Sequence, residues 1–390
     1  MWIDHSVFRL NPDGEPAELP ARSQIVTESW DRVVAVPHIV YMPETDRVLM
    51  LASCDYPGSP WVHYAMVLFS GDHGATWSDP RYVHTDAQGN PACGLGHALT
   101  YLGEGRVMMY SCHPPSRWFS SDFGETWGDT VPVEPAPGGR MWMAWDPGLV
   151  DRDPGTGRVT RLMETGYWGD SVTMDSQAYV RFSTDGGRTW TGAHHVPQFE
   201  GVNEVCPVRA ANGDIVATCR TDPPDAYKDS RFDHYEGFGI SISNDDGYTW
   251  SGVQQLYEWG RHHASMALLP CGYIVATYVV RLGYSDTADG FPRFGIEAVV
   301  SHDNGISWDL DRRYILASWT GNRKSSPSPE GKLRSGGWHA SPHTTSSLVL
   351  PDGSILTAYG TGYRQREDAF GPGLYGPRDV GLIKWNIETK

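Results

Sequence analysis

Hydrophobic and polar residues alternate along this chain in short runs separated by turn residues, which is the pattern of antiparallel β-strands. The segments HTTSSLVLPDGSILTAYG, from residue 343, and HHASMALLPCGYIVATYVVR, from residue 262, each predict two strands joined by a tight turn. Segments of the same kind begin at residues 36, 96, 145 and 203. A long run with the 3.6-residue period of a helix does not occur. The pattern therefore predicts an all-β protein built from six hairpins.

A second repeat, S-x-D-x-G-x-[TS]-W, occurs five times, at 70–77, 120–127, 183–190, 243–250 and 301–308. We call these segments the repeat turns. Their Ser and Asp side chains are expected to bond backbone N–H groups, and their glycine supplies a positive φ angle. The closing tryptophan is expected to lie buried between neighbouring sheets, which is a structural role rather than a catalytic one. The spacing of 50 to 63 residues between the repeat-turn aspartates is typical of propeller blades.

Together the two repeats predict the fold. Five hairpins are followed by a strand that leads into a repeat turn and then by a further strand, so each unit is a four-stranded antiparallel meander. Six such units predict a six-bladed β-propeller that forms a single domain over residues 1–390. The sixth unit has no repeat turn and ends in VGLIKWNI, 380–387, while SVFRL near the N-terminus is a strand without a unit of its own. We expect these two ends to pair and close the ring.

Composition and charge narrow the possible functions. The net charge of −16 argues against a nucleic-acid partner, since it repels phosphate. The start MWIDHSVFRL has neither a basic end nor an apolar run, so we expect no membrane association and a cytoplasmic location. The six cysteines show no C-x-x-C spacing and are expected to be buried reduced thiols rather than disulfides or metal ligands. We expect no metal and no other cofactor.

Candidate site residues cluster on one predicted face. Hairpin turns and repeat turns share one face of the meanders, so the opposite face, where innermost strands begin and second strands end, is expected to hold the site. Many buried ionisable groups around one axis favour a function, because burying each charge is costly. The candidates at innermost-strand starts are His38, His97, Asp146, Glu204, His262, His263 and His343. Those at second-strand ends are Asp55, His113, Glu164, Arg220, Arg281 and Tyr363.

The repeat turns on a six-bladed propeller resemble the Asp boxes of the sialidase (neuraminidase) superfamily, and this resemblance covers essentially the whole chain. In that family an N-E motif, followed sixteen residues later by an arginine, supplies a glutamate that helps to activate the nucleophile and an arginine that binds the substrate carboxylate. The segment NEVCPVRAANGDIVATCR is similar, so the resemblance implies these roles for Glu204 and Arg220. It also implies that Asp55 stands near the place of the family's acid/base aspartate.

The chain departs from the family pattern at two places. The family's F-R-I-P motif falls on VAVP, 34–37, so Ala35 stands where one carboxylate-binding arginine is expected. The nucleophilic tyrosine of the family's Y-S-S-L context falls on Thr345. The resemblance therefore does not imply ordinary sialidase chemistry. Arg281 is the candidate that replaces part of the lost positive charge.

The first functional hypothesis is an exo-acting glycoside hydrolase for an acidic or hydroxyl-rich glycan. Glu204 is the candidate nucleophile or base, and the candidate acid, with a pKa raised by burial, is Asp55, Asp146 or Glu164. Arg220 and Arg281 are expected to hold the carbohydrate. The histidines expected to line the substrate-binding funnel are His38, His97, His262 and His263.

Two other hypotheses belong to different classes. A polysaccharide lyase would cleave a uronate-containing glycan by β-elimination, with bases and acids drawn from the histidines (His97, His262, His263 and His343) and from Tyr363, and with arginine neutralising the uronate carboxylate. A non-catalytic glycan-binding propeller is the third, since a fold does not fix a function. Metal binding is not expected, because the adjacent His262 and His263 of one strand should point to opposite faces.

Overall fold

The fold was determined as a computed structural model, which describes residues 1–30, 33–56, 59–170, 173, 175–225, 235–282, 287–288, 293–320, 342, 344–361 and 379–388, without the side chains of 55–56 and 59–62. In the described ranges, turns, loops and 3-10 helices join the strands. The strands, in chain order, are β1 (Ile3–Arg9), β2 (Ala17–Ile25), β3 (His38–Met42), β4 (Arg47–Tyr56), β5 (Ser59–Ser70), β6 (Arg81–Tyr82), β7 (Gly96–Gly103), β8 (Arg106–Cys112), β9 (Pro115–Ser120), β10 (Asp129–Pro132), β11 (Leu149–Arg152), β12 (Val159–Gly169), β13 (Ser176–Ser183), β14 (His194–Glu200), β15 (Val202–Arg209), β16 (Ile215–Thr221), β17 (Gly237–Ser243), β18 (Gln254–Tyr257), β19 (Arg261–Leu268), β20 (Ile274–Leu282), β21 (Arg293–Ser301), β22 (Tyr314–Thr320), β23 (Thr345–Val349), β24 (Ile355–Thr361) and β25 (Asp379–Trp385).

The strands form antiparallel meanders in a propeller arrangement, which confirms the predicted all-β fold class. Four units are separate four-stranded sheets: the first is β3–β6, the second β7–β10, the third β11–β14 and the fourth β15–β18. The number of separate blades is thus four rather than the predicted six. The other two units share one nine-stranded sheet, in the order β19-β20-β21-β22-β1-β2-β25-β24-β23. We refer to β19–β22 as the fifth unit and to β23–β25 with β2 as the sixth.

The N-terminal strands explain why the last two units are continuous. β2 pairs with β25 as the fourth strand of the sixth unit, whereas β1 pairs with both β2 and β22. The hairpin β1–β2 therefore fills the space between two units and covers both of their outer edges. Innermost strands of successive units contact each other, including β23 with β3, so the sixth unit packs against the first. The predicted pairing of SVFRL with the C-terminal segment is wrong, because SVFRL lies in β1 and β25 pairs with β2 instead. The N-terminal hairpin as a whole nevertheless joins the C-terminal strand to the fifth unit.

The repeat turns have the hydrogen bonds that their sequence predicts. In 183–190, Ser183 Oγ accepts from Gly187 N at 2.9 Å, and Asp185 accepts from the N–H and hydroxyl of Thr189 at 2.9 and 2.6 Å. The Trp190 indole donates Nε1–H to the carbonyl of Gly187 at 2.8 Å. The first turn differs, because Gly74 O accepts from Gln24 of β2 instead of from its own tryptophan. The N-terminal strand is thus anchored to the first repeat turn.

Within the described part of the chain, no helix is long and apolar enough to cross a membrane. All six cysteines are free thiols, as predicted, and five of them are buried. The exception is Cys271, which is exposed in the turn between β19 and β20 and corrects the expectation of burial.

Candidate functional site

The first residues of the innermost strands surround a region that we call the central funnel. Three of these strands, β7, β15 and β19, have an irregular register close to their start, after His97, Val202 and His262 respectively. Extra residues at such bulges are unpaired, and their side chains are turned away from the regular alternation of a strand. Ala98 and His263 have the positive φ angles of bulge residues, 53° and 51°. The bulges therefore decide which side chains reach the funnel.

His263 shows the effect most clearly. The ring centres of His262 and His263 are only 4.7 Å apart, so the prediction that the two side chains point to opposite faces is wrong. The left-handed conformation of His263 breaks the two-residue alternation on which that prediction depended. His263 Nδ1 lies 2.6 Å from Glu204 Oε2. His262 is fully buried behind it.

Glu204 and Arg220 form the charged centre of the funnel. Arg220 Nη1 donates to both oxygens of Glu204 at 2.9 Å and lies 2.6 Å from His263 Nε2. Arginine has no acceptor, so His263 Nε2 accepts and its proton is on Nδ1, which donates to Glu204. All three side chains are more than nine-tenths buried. Glu204 is thus held as a carboxylate in one orientation.

Glu236 is a fourth member of this cluster, and sequence analysis did not predict it. It lies one residue before β17 and accepts from Nε of Arg220 and also pairs with Nη2. In the antiparallel register Arg220 is opposite Phe238, so a residue just before β17 lies beside the end of β16. Glu236 could therefore have been identified from this register, but only with the limits of β16 and β17 known.

Asp146 lies near Glu204 and Arg220, but its environment favours the protonated form, unlike that of Glu204. It precedes β11 and is 8% exposed. Burial, and then the negative charge of Glu204, raise the pKa of Asp146 well above the usual aspartate range, against weaker opposing effects of Arg220 and of the Cys206 thiol. Neighbouring carboxyl groups with different environments are typical of acid and base pairs.

Two neutral histidines and a tryptophan lie beside the charged centre of the funnel. His38 and His97 are buried and their rings meet edge to face at 5.9 Å. Burial lowers the pKa of His38 to about 4 and that of His97 well below its ordinary value, so both are neutral at neutral pH. The Trp145 indole stacks on His97 at 4.1 Å and donates Nε1–H to Thr344, just before β23, at 3.3 Å. Trp145, which the sequence did not single out, therefore reaches across the axis.

Glu164 does not have the predicted raised pKa. Its carboxylate accepts from Arg117 at 2.5 Å, from Arg181 at 3.1 Å and from the Trp142 indole at 2.8 Å, where the second and third sheets meet. Burial alone would raise the pKa of Glu164, but the two guanidinium groups outweigh it, so the pKa is lowered. Glu164 has the environment of a structural ion pair rather than of an acid.

Tyr167 takes the place in the funnel that was expected for Glu164. Thr165, on the same side of β12 as Tyr167, donates to Val205 O of the fourth sheet, whereas Glu164 is on the side that faces the second sheet. Burial and the nearby charge of Glu204 raise the pKa of Tyr167 well above its ordinary value. A tyrosine hydroxyl therefore joins the two carboxyl groups, and it keeps its proton.

Of the remaining predicted residues, Arg281 is buried and the others lie wholly or partly outside the described part. Arg281 is 1% exposed and donates Nε–H to Pro342 O at 3.0 Å. Asp55 is the last residue but one of β4 and pairs with His63, but its side chain lies outside the described residues. His343 and Tyr363 also lie outside the described residues.

At the two positions where the chain departs from the family pattern, the residues have structural roles. Ala35 is fully buried, with a φ of 59°. Thr345 Oγ1 lies 2.9 Å from the carbonyl of His263 and 2.8 Å from that of Thr277, so its hydroxyl holds β23 to β19. In the described ranges, no group of three or more His, Cys, Asp or Glu side chains is arranged to hold a metal ion.

Comparisons with known proteins support the fold. A structure from Dyadobacter fermentans, described as a protein of unknown function, is similar with a TM-score of 0.64 and 15% identity over 94% of this chain and 98% of that one. The leech intramolecular trans-sialidase has a TM-score of 0.55 and 13% identity over 93% and 68% of the two chains. The Trypanosoma rangeli sialidase has a TM-score of 0.57 and 11% identity over 96% of this chain and 56% of that one.

No protein-family model matches this chain, and no curated protein matches it. At identities of 11% to 15% the structural likeness concerns the fold and not the activity. The ring of antiparallel sheets and these likenesses together show that the chain has a sialidase-like β-propeller fold.

Proposed function

We propose that this protein is an exo-acting glycoside hydrolase with its site in the central funnel, where Asp146 is the general acid and Glu204 the nucleophile or base. The observation that carries the proposal is the contrast between two neighbouring carboxyl groups. Asp146 keeps its proton through burial and the charge of Glu204, whereas Glu204 is a carboxylate held by Arg220. Most glycosidases need one protonated and one ionised carboxyl group beside the scissile bond.

The roles follow from the chemistry of glycoside cleavage. Asp146 donates its proton to the glycosidic oxygen while the bond from that oxygen to the anomeric carbon breaks. Glu204 either attacks the anomeric carbon or takes a proton from an attacking water. Arg220 and His263 hold both oxygens of Glu204 and so fix its orientation.

The position of Trp145 supports action at a chain end. Trp145 extends from the residues before β11 to Thr344 before β23, packs on His97 of β7, and has its ring 5.8 Å from that of His263. A large ring beside the Glu204 cluster leaves less room for a glycan that continues past the cleaved bond, so the proposed substrate is the terminal sugar of a chain. The sialidase-like fold is consistent with a glycan substrate.

A polysaccharide lyase is the second candidate. The observation that favours it is the state of His97, whose two ring nitrogens are neutral, buried and without a hydrogen-bond partner among the described residues. A neutral imidazole is suited to take a proton beside a uronate carboxyl group. The carboxylates around Arg220 weigh against this candidate, since elimination needs a cation for the uronate carboxylate.

The test is a panel of aryl glycosides and uronate polysaccharides, read out in parallel by aryl release, reducing ends and near-ultraviolet absorbance. We expect aryl release without an ultraviolet-absorbing product, and a loss of roughly 100- to 10,000-fold in kcat for Glu204→Gln. Glu297→Gln, which alters a buried Glu–Arg pair of the fifth unit, is the matched control and should keep the parent rate. An absorbing product would establish the lyase, and glycan binding without turnover would establish a binding protein.

Asp146→Asn separates the acid from the nucleophile. Protonation of the leaving oxygen matters most for poor leaving groups, so the variant should lose roughly 100-fold or more on alkyl glycosides and much less on nitrophenyl glycosides. An equal loss on both kinds of substrate would assign Asp146 to another role.

A further inference from the structure

Glu236 occupies the part of Arg220 that a carboxylate ligand would use. A guanidinium binds a carboxylate best through two parallel N–H donors, and Nε with one Nη forms one such edge. In this protein Nε and Nη2 of Arg220 both face Glu236 Oε2. The remaining terminal nitrogen, Nη1, donates to Glu204 and lies beside His263. The donors of Arg220 are thus directed at the protein's own carboxylates.

The charges around Arg220 also disfavour a carboxylate ligand. Among the residues that the structure describes, one guanidinium faces two carboxylates in this cluster. His263 is neutral in the tautomer that its contacts require. A sugar carboxylate that approached Arg220 would have to displace Glu236 and would meet the charge of Glu204. Unfavourable contacts of this kind are how a binding site rejects one class of ligand.

We infer that Glu236 is a specificity-determining residue, which takes the place of a substrate carboxylate on Arg220 and restricts the funnel to hydroxyl-rich sugars that carry no carboxylate there. This inference rests on the proposed function in so far as the ligand is a sugar. It selects the hydroxyl-rich alternative of the hypothesis from sequence, and it departs from the carboxylate-binding role that the family resemblance implies for Arg220. Glu236 is 5% exposed, so its carboxylate is part of the built site rather than of a loop surface.

The experiment is a binding comparison that needs no turnover. Methyl glucoside and methyl galactoside are titrated against the parent by calorimetry, each beside the corresponding uronide, and the same pairs are titrated against Glu236→Ala. We expect the parent to prefer the neutral member of each pair. The variant uncovers Nε and Nη2 of Arg220, so the ratio of affinities should move towards the uronide by at least about tenfold.

Two further variants keep the result unambiguous. Glu297→Ala removes the partner of Arg261 in the fifth unit and should leave the parent's ratio unchanged. Glu236→Gln keeps the side-chain shape while it removes the charge, so it carries the same comparison if Glu236→Ala does not fold. A ratio that stays at the parent's value, absence of uronide binding to the Glu236 variants, or a parent that prefers uronides overturns the inference. Failure of the hydrolase proposal would instead appear as binding without product.

Discussion

At the scale of single residues, burial decides the protonation states on which the site depends. His38 is neutral at neutral pH because burial lowers its pKa and outweighs the attraction of the Glu204 charge. Burial also raises the pKa of Asp146, since it disfavours the charged form of an acid as well as of a base. A residue's identity alone does not reveal this behaviour, since an exposed histidine or aspartate is charged at moderately acid pH.

The lowered pKa of His38 predicts a specific loss of stability in acid. The unfolded chain binds a proton at this residue near its ordinary value of 6.5, whereas the folded protein does so only near 4. Between these values the unfolded state binds more protons, so the free energy of unfolding falls as pH falls. We expect His38→Gln to reduce the drop in unfolding free energy between about pH 7 and about pH 4.5 by about 2 kcal/mol.

Urea unfolding at the two pH values measures this effect. His194→Gln changes an exposed histidine of β14 and should leave the drop as it is in the parent. A His38 variant with the same acid sensitivity as the parent would show that His38 is protonated in the folded state.

At the scale of the elements, each repeat turn joins its own unit to the one before it. A Cβ atom added at the repeat-turn glycine would lie 2.7 Å from Leu49 of β4 at Gly124, and 2.6 Å from Val216 of β16 at Gly305. The glycine is therefore required twice, for its positive φ and for the close approach of the neighbouring unit. This contact gives the shape that the repeat turns share a function in assembly of the ring.

Gly305→Ala and Gly353→Ala test the second requirement. Their φ angles, 86° and 82°, are nearly equal, but a Cβ at Gly353 meets nothing within 4 Å. Both variants should lose roughly 1–2 kcal/mol from the left-handed conformation. Gly305→Ala should lose about 1–3 kcal/mol more, because Val216 is fully buried and stiff.

Chemical denaturation gives the two free energies of unfolding. Equal losses in the two variants would mean that the neighbouring unit yields without cost, and the proposed assembly role of the turn would be wrong.

The elements also show why part of the site was predictable and part was not. The repeat turns were predictable because their hydrogen bonds lie within eight residues. On β12 the sequence indicated the right strand but the wrong side. Glu164 and Tyr167 are three residues apart and so lie on opposite sides of the strand, and the local sequence does not show which side faces the axis. On β19 the bulge at His263 changed the alternation itself.

At the scale of the whole molecule, the ring is closed by contacts between the two ends of the chain. Thr27, fully buried after β2, donates to Asp379 Oδ1 at 2.8 Å and accepts from Val380 N at 2.9 Å at the start of β25. The hairpins and repeat turns made the propeller predictable, because each unit repeats the same local pattern. The cluster of Glu204, Arg220 and Glu236 was only partly predictable, because its geometry depends on strand limits and on packing between units.

Removal of the Thr27 hydroxyl should weaken closure selectively. Thr27→Val keeps the volume but removes both hydrogen bonds, and we expect a loss of about 1–3 kcal/mol in the free energy of unfolding. Hydrogen exchange should accelerate in β2 and β25 before it does so in the separate sheets. Thr218→Val removes a buried hydroxyl that bonds Ala264 O between the fourth and fifth units, and it should not favour exchange in β2 and β25. Uniform acceleration in both variants would contradict a local role in closure.

The protonation state of Asp146 is the most direct test of the central claim, that the funnel holds one protonated and one ionised carboxyl group. It is measured as the infrared difference spectrum between the parent and Asp146→Asn, recorded as a function of pH. We predict that the carbonyl band of a protonated carboxylic acid, absent in the variant, is present at neutral pH and disappears only as the pH is raised further, with activity falling in the same range because the acid loses its proton. Disappearance of that band near pH 4, about the ordinary aspartate value, would contradict the account.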